Sequence, residues 1–440
     1  MALDLNISYT LGFLIDMLDK YAILDVKARQ IIDSRGNPTV ECDVVTKGGF
    51  GRASVPSGKS KGKHEAVELR DGGKEWNGLG VSKAVDNVNK IIAMKIIDMD
   101  SRDQEGIDFE MISLDGTPDK SRLGANAMLS VSMAVAVAAA NTKGVELYNH
   151  LNSLFGSPEM VIPVPFFNII NGGEHAGNKL AIQEFMIAPV GVTSFSDALR
   201  VGSEIYHTLR ELLIDKYGRK AVNVGDEGGF APPMKKTKEA LDMLVKAIEK
   251  AGYSNEVRLS IDAAASTFFN GKYYVIDGKR MKSEKLLKFY ERLVNDYPII
   301  NIEDPFQEED FESFSKLVDS IGKDVQITGD DIFTTNPARI KKGVMHKSAN
   351  ALLLKLNQIG TLTEAFSAAR VAFDNKWFVM VSHRSGETED TFIADLAVAL
   401  SCGEIKSGAP ARGERTAKYN RLLRIEEESG LDYAGKRWFV

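Results

Sequence analysis

From about residue 156 onward, short apolar runs alternate with stretches of helical period. Two runs, 161–170 and 184–189, are too short or too proline-broken for helices and read as strands. Two helical patterns follow. In the first, Ala198, Val201, Ile205, Leu209 and Leu212 recur at steps of three or four and Gly218 closes it; the second runs from about 237 to 252. Six strand candidates come next, at 257–261, 299–302, 325–328, 351–356, 377–381 and 404–407, each followed by a helical pattern. The third of those helices opens with Asn336 as N-cap and Pro337 at its first position. Two strands, two helices and six βα units suit a closed β/α barrel at least as well as an open doubly wound sheet. The absence of a GxGxxG after any strand favours the barrel.

The preceding part has a different rhythm. Residues 24–55 form short β-like runs punctuated by Asp33-Ser34-Arg35-Gly36-Asn37-Pro38, and helical stretches follow at about 81–99 and 123–141. Strands first and helices afterwards predict an α+β unit. The expected division is an N-terminal extension at 1–22, an α+β capping domain at 23–155 and the barrel at 156–440. The longest uncharged run, 123–142, is mostly alanine with Asn126, Ser130 and Ser132 inside it, which predicts a buried helix rather than a membrane span.

Composition narrows the class. The 440 residues carry 55 Lys+Arg against 61 Asp+Glu, a net charge of −6, which gives no polybasic surface for nucleic acid. Apolar residues at 44% provide for a large core and exclude a disordered chain. Cys42 and Cys402 form no metal or disulfide pattern, so a reducing cytoplasm is the expected setting. Asp4, Asp16 and Asp19 near the start give no basic, cleavable leader, and no export is expected.

In a barrel, reactive groups gather where strands end. Asp262, Glu303 and Asp330 stand at three such ends, one βα unit apart. Converging carboxylates repel unless a cation lies between them, and all-oxygen ligands favour a hard ion such as Mg²⁺. Lys355 follows four apolar residues; near a divalent cation and out of water its pKa would fall, suiting a general base, while the alternative is a structural ammonium paired with one of the acids. Glu184 and Glu227 could form an acid pair across the mouth, and glycine-rich turns flank Glu227 and His175. Arg384 and Ser385 offer an anion clamp, and Lys406 brings a second cation. Gly58-Lys59-Ser60 mimics the end of a Walker A loop, but Ala53 stands where the earlier glycine is required and Pro56 interrupts the backbone, so no nucleotide loop is expected.

Long segments carry a family resemblance: 28–41 (ARQIIDSRGNPTVE), 183–189 (QEFMIAP), 224–229 (VGDEGG), 302–306 (IEDPF), 354–362 (LKLNQIGTL) and 382–390 (SHRSGETED). In this order they resemble the enolase family over about 24–430. The resemblance implies an α/β protein: an α+β cap followed by an enolase-type (β/α)8 barrel that opens with two strands and two helices. It implies reversible dehydration of 2-phospho-D-glycerate to phosphoenolpyruvate with two Mg²⁺ ions. Carried over, Asp262, Glu303 and Asp330 hold the first metal and Ser60 the second, Lys355 removes the C2 proton, and Glu227 with Glu184 assists departure of the C3 hydroxyl. Arg384 and Ser385 would bind phosphate, His175 and His383 line the pocket, and Lys406 meet the substrate carboxylate. Dimers or octamers are implied, as is a cytoplasmic location. A catalytically weak protein acting in binding or structure, for instance as a cell-surface receptor for plasminogen, is the alternative. Lys59 and Lys61 around Ser60, and Glu174 before His175, depart from the family pattern; the added lysines are expected to strengthen attraction to phosphate and Glu174 to offset them.

Overall fold

The computed structural model describes residues 20–59 and 62–435. The expected N-terminal extension therefore lies outside the described residues except for 20–22, as do Ser60 and Lys61. The chain forms two compact units, one of residues through Ser57, Ala66–Ser157 and Leu356–Glu364, the other of Gly58–Glu65, Pro158–Lys355 and the chain from Ala365.

The first unit holds an antiparallel sheet of β1 (Ile23–Ile32), β2 (Pro38–Thr46) and β3 (Phe50–Ser54), in the order β1-β2-β3. The Asp33 to Pro38 punctuation is the β1–β2 turn: Asp33 Oδ1 accepts from the amides of Arg35 and Asn37, and Gly36 takes a φ of +78°. The alanine-rich helix Ala125–Lys143 lies on β2 and β3, and 89% of its apolar window is buried. Small residues allow this approach. A Cβ on Gly51 of β3 would stand 2.1 Å from the Ala134 carbonyl oxygen and 2.4 Å from the Ala138 nitrogen. The helix expected at 81–99 is broken, with a π-helical turn at Val88–Ile92 between Ser82–Asn87 and Ala93–Ile96.

The second unit is a closed eight-stranded barrel. Its strands are β4 (Val164–Asn171), β5 (Glu184–Ala188), β6 (Arg258–Asp262), β9 (Ile299–Glu303), β10 (Gln326–Gly329), β11 (Ala351–Leu354), β12 (Phe378–Ser382) and β13 (Gly403–Lys406), with a separate hairpin of β7 (Tyr274–Ile276) and β8 (Lys279–Met281). Around the barrel the order is β10-β11-β12-β13-β4-β5-β6-β9. Strand β5 is antiparallel to both neighbours, and the remaining barrel pairings are parallel. Helices Phe195–Tyr217 and Thr237–Ala251 separate β5 from β6, which is the two-strand, two-helix opening read from the sequence. Register sets the site: Glu184 pairs with Asp262, and Asp262 with Glu303, so three carboxylates stand side by side at one level.

Candidate active site

The carboxylates meet on an ammonium group. Lys406, at the end of β13, places its Nζ 2.8 Å from Glu303, 3.2 Å from Glu184 and 3.4 Å from Asp262, with all four side chains almost fully buried. The lysine expected beside Arg384 at the rim is thus inside the acid cluster. Asp330, two residues beyond the Thr328 that pairs with Glu303, instead contacts Lys355 Nζ at 2.5 Å.

Burial and mutual repulsion decide the proton affinities. Glu303 is raised well above the carboxylate range by burial and by neighbouring Asp262, partly opposed by Lys406. Asp330 is held below it: burial pushes up, but the Lys355 ammonium more than compensates. For Lys355, burial lowers the pKa and the Asp330 carboxylate raises it further, so that between these two the direction is upward. A carboxylate this close favours the charged amine.

These residues fit a hard divalent cation. Four buried carboxylates, Glu184, Asp262, Glu303 and Asp330, stand against the two ammonium groups of Lys355 and Lys406, and every anionic donor is oxygen. The turn at Asp330 is held by a neighbouring carboxylate. Asp304 takes a φ of +42° and accepts the amides of Asp330 at 3.0 Å and Asp331 at 2.7 Å. The ligand atoms of Asp304, Asp330 and Asp331 lie within 4.8 Å of one another, as do those of His175, Glu184 and Glu227.

The second group forms the facing wall. Glu227 accepts 2.8 Å from Asn168 Nδ2 on β4, while His175 Nδ1 lies 3.4 Å and His383 Nε2 3.7 Å from its other oxygen. Burial would raise Glu227, yet the neighbouring His175 and His383 and buried Arg415 hold it below the carboxylate range. Glu184 goes the other way, raised by burial and by Glu227. The expected acid pair exists, with Glu184 favouring the proton and Glu227 the charge.

At the rim, Arg384 makes a two-point ion pair with Glu65, at 3.0 and 3.1 Å, and the Ser385 hydroxyl accepts from the Lys59 amide at 2.9 Å. Lys59 Nζ is bound to Asp226 at 2.9 Å, so its charge is not held for phosphate alone. Ser60 and Lys61 lie outside the described residues, and Glu174 is exposed. Sequence reasoning missed Glu65, Asn168, Asp304 and Arg415. The Glu303-Asp304 and Asp330-Asp331 doublets hinted at Asp304; the others reach the site from segments without a local signal.

The model described as "Enolase, N-terminal domain" matches residues 23–151, and "Enolase, C-terminal TIM barrel domain" matches 159–439. The chain is 59% identical over 424 residues to the enolase of Methanocaldococcus jannaschii, covering 96% of this chain and 99% of that protein. It is 58% identical to those of Thermococcus kodakarensis and Pyrococcus furiosus, over 428 and 429 residues, again covering 96% of this chain and 99% of each relative. With both domains matched and identity extending over nearly its whole length, the chain belongs to the enolase family.

Proposed function

We propose that this enolase-family enzyme catalyses the reversible dehydration of 2-phospho-D-glycerate to phosphoenolpyruvate in glycolysis and gluconeogenesis. One observation carries the reading: Lys355 follows β11, and Glu184 begins β5, four strands away around an eight-stranded ring. A base and an acid on opposite walls suit removal of a proton from one face of a substrate and departure of hydroxide from the other.

Neutral Lys355 takes the C2 proton, the C2–H electron pair becomes the C2=C3 bond, and the C3 hydroxyl leaves as water with a proton from the Glu184–Glu227 pair. Asn168 and the two histidines fix Glu227, so the proton passes through a set geometry. Arg384 and Ser385 receive the phosphate, and Lys406 the substrate carboxylate. Asp262, Glu303 and Asp330 would hold one Mg²⁺, and Ser60 a second that arrives with substrate. When bound, Mg²⁺ would supply Lewis-acid stabilisation for charge developing on the substrate carboxylate, and Asp330 committed to it would no longer hold Lys355 in the charged form.

Family membership supports a homo-oligomer, dimer or octamer, and two buried free thiols suit a cytoplasmic location. The boundary between the α+β cap and the barrel falls at 155/156, next to Gly156, where the helix Leu147–Phe155 ends.

The test is ultraviolet absorbance of the enol phosphate after adding 2-phosphoglycerate, with Mg²⁺ or with EDTA, for wild type and Lys355→Ala. A Mg²⁺-dependent rise lost in the variant is expected. No rise with folded wild-type protein would overturn the assignment and favour the catalytically weak binding protein.

A further inference from the structure

Arg415, the largest fully buried side chain among the described residues, belongs to the helix Gly413–Ser429 and does not line the acid cluster. Its guanidinium joins two loops. Nη1 donates to the Arg384 carbonyl at 2.6 Å and lies 2.5 Å from His383 Nδ1; Nη2 donates to the carbonyls of Ser385 at 2.7 Å and Asp226 at 3.0 Å. The loop after β12 and the loop bearing Glu227 are thus tied to one planar group. Room for it is reserved: Gly408 has a φ of +79°, and a Cβ there would come 2.8 Å from Arg415 Cδ and 2.6 Å from the Glu227 carbonyl oxygen.

Arginine can only donate. His383 Nδ1 must therefore accept, and the ring proton of the neutral imidazole resides on Nε2, the atom 3.7 Å from Glu227 Oε1. From this geometry we infer that Arg415 is a positioning residue: it fixes His383 as the Nε2–H tautomer aimed at Glu227 and locks the two loops that carry them into one register. Burial keeps His383 well below the usual imidazole range; Arg415, Lys406 and Lys355 reinforce this, and Glu227 is the charge that opposes it. The neutral ring turns its single N–H toward Glu227, 3.7 Å away and short of a hydrogen bond, and keeps no second proton. Lys418, one turn further along the same helix, supports the same loop through Glu387 at 2.8 Å and the Thr388 carbonyl at 2.6 Å. Arg415 alone touches the imidazole among these two.

The catalytic part of this inference rests on the reaction proposed above; the tautomer does not. The full chain labelled with ¹⁵N-histidine has six imidazoles, and loss of a signal in His383→Gln assigns the one in question. The expected wild-type spectrum has a protonated Nε2 and an unprotonated Nδ1 at neutral pH. In Arg415→Met, the other tautomer should appear, His383 should titrate in the pH–rate profile, and kcat should fall at least ~100-fold with KM little changed. Arg415→Lys retains charge and stem but cannot span both loops, and serves if the methionine variant does not fold. An unaltered Nε2–H tautomer and pH profile in the folded variant would overturn the inference, whatever happens to kcat. Because the spectrum is recorded without substrate, failure of the tautomer assignment is distinct from failure of the reaction assignment, which Lys355→Ala tests.

Discussion

Glu65 holds the guanidinium of Arg384 at two points, 3.0 and 3.1 Å, with both side chains nearly inaccessible to water. A buried bidentate pair fixes a plane as well as a position. Removing its acid leaves the arginine charged and without this two-point hold. Glu65→Ala should cost ~3 kcal/mol in urea unfolding and raise KM for 2-phosphoglycerate more than it lowers kcat. Unchanged stability and KM would show that Arg384 needs no partner to keep its orientation.

Lys406 stands among Glu184, Asp262 and Glu303 where repulsion would otherwise be greatest. Lys406→Met should destabilise the metal-free protein by ~3–5 kcal/mol. Added Mg²⁺ should then raise the melting temperature of the variant more than that of wild type, since the ion relieves a larger uncompensated charge. Equal shifts for the two proteins, by calorimetry with Mg²⁺ and with EDTA, would argue against ion binding at these acids.

Beneath this cluster Glu404 is enclosed in the barrel, accepting from Gln326 at 2.5 Å, and Asn301 links Gln326 to Thr328 and Ser260. Burial pushes its carboxyl up to about 8. The folded protein thus retains a proton that the unfolded chain releases. This contribution is fully present below the ordinary glutamate pKa of 4.5 and is lost as pH rises through about 8. The difference is on the order of 5 kcal/mol. Glu404→Gln should flatten stability between those limits; a wild-type slope retained in the variant would assign the titration elsewhere.

Gly408→Ala should be poorly tolerated. Its φ of +79° strains any side chain, and the added methyl meets the Glu227 carbonyl and the Arg415 stem. A loss of ~1–3 kcal/mol is expected, with activity lower than the fraction folded explains. Native activity per folded molecule would mean that the two loops can shift together without consequence.

The barrel was readable because its strands are short apolar runs between helices of clear period, and the acids that end β6 and β9 and follow β10 could be found by counting residues from each run. The internal geometry was less accessible. Nothing local to 404–407 says that Lys406 turns toward three acids rather than the rim, because that depends on the register of strands joined only when the ring closes. Glu65 and Arg415 approach Arg384 from 319 and 31 residues away. Which acid Lys355 meets was also hidden, since that follows from one distance to Asp330 across neighbouring strands rather than from the apolar run before it. The π-turn at Val88–Ile92 had no counterpart in the apolar spacing, which is continuous across it.

The reversed strand β5 has a consequence for how the protein assembles. It pairs with β4 as a hairpin closed by residues 172–183, whereas the parallel pairings that follow require crossovers. Closing a short loop costs less chain entropy than bringing distant strands together. Asn168, His175 and Glu184 therefore belong to the part of the barrel whose pairing is most local, while Lys355, His383 and Lys406 depend on later strands. The wall of Asn168, His175 and Glu184 is thus set by local pairing, and the side chains of Lys355, His383 and Lys406 are brought to face it only by the closed ring, in which β13 pairs with β4.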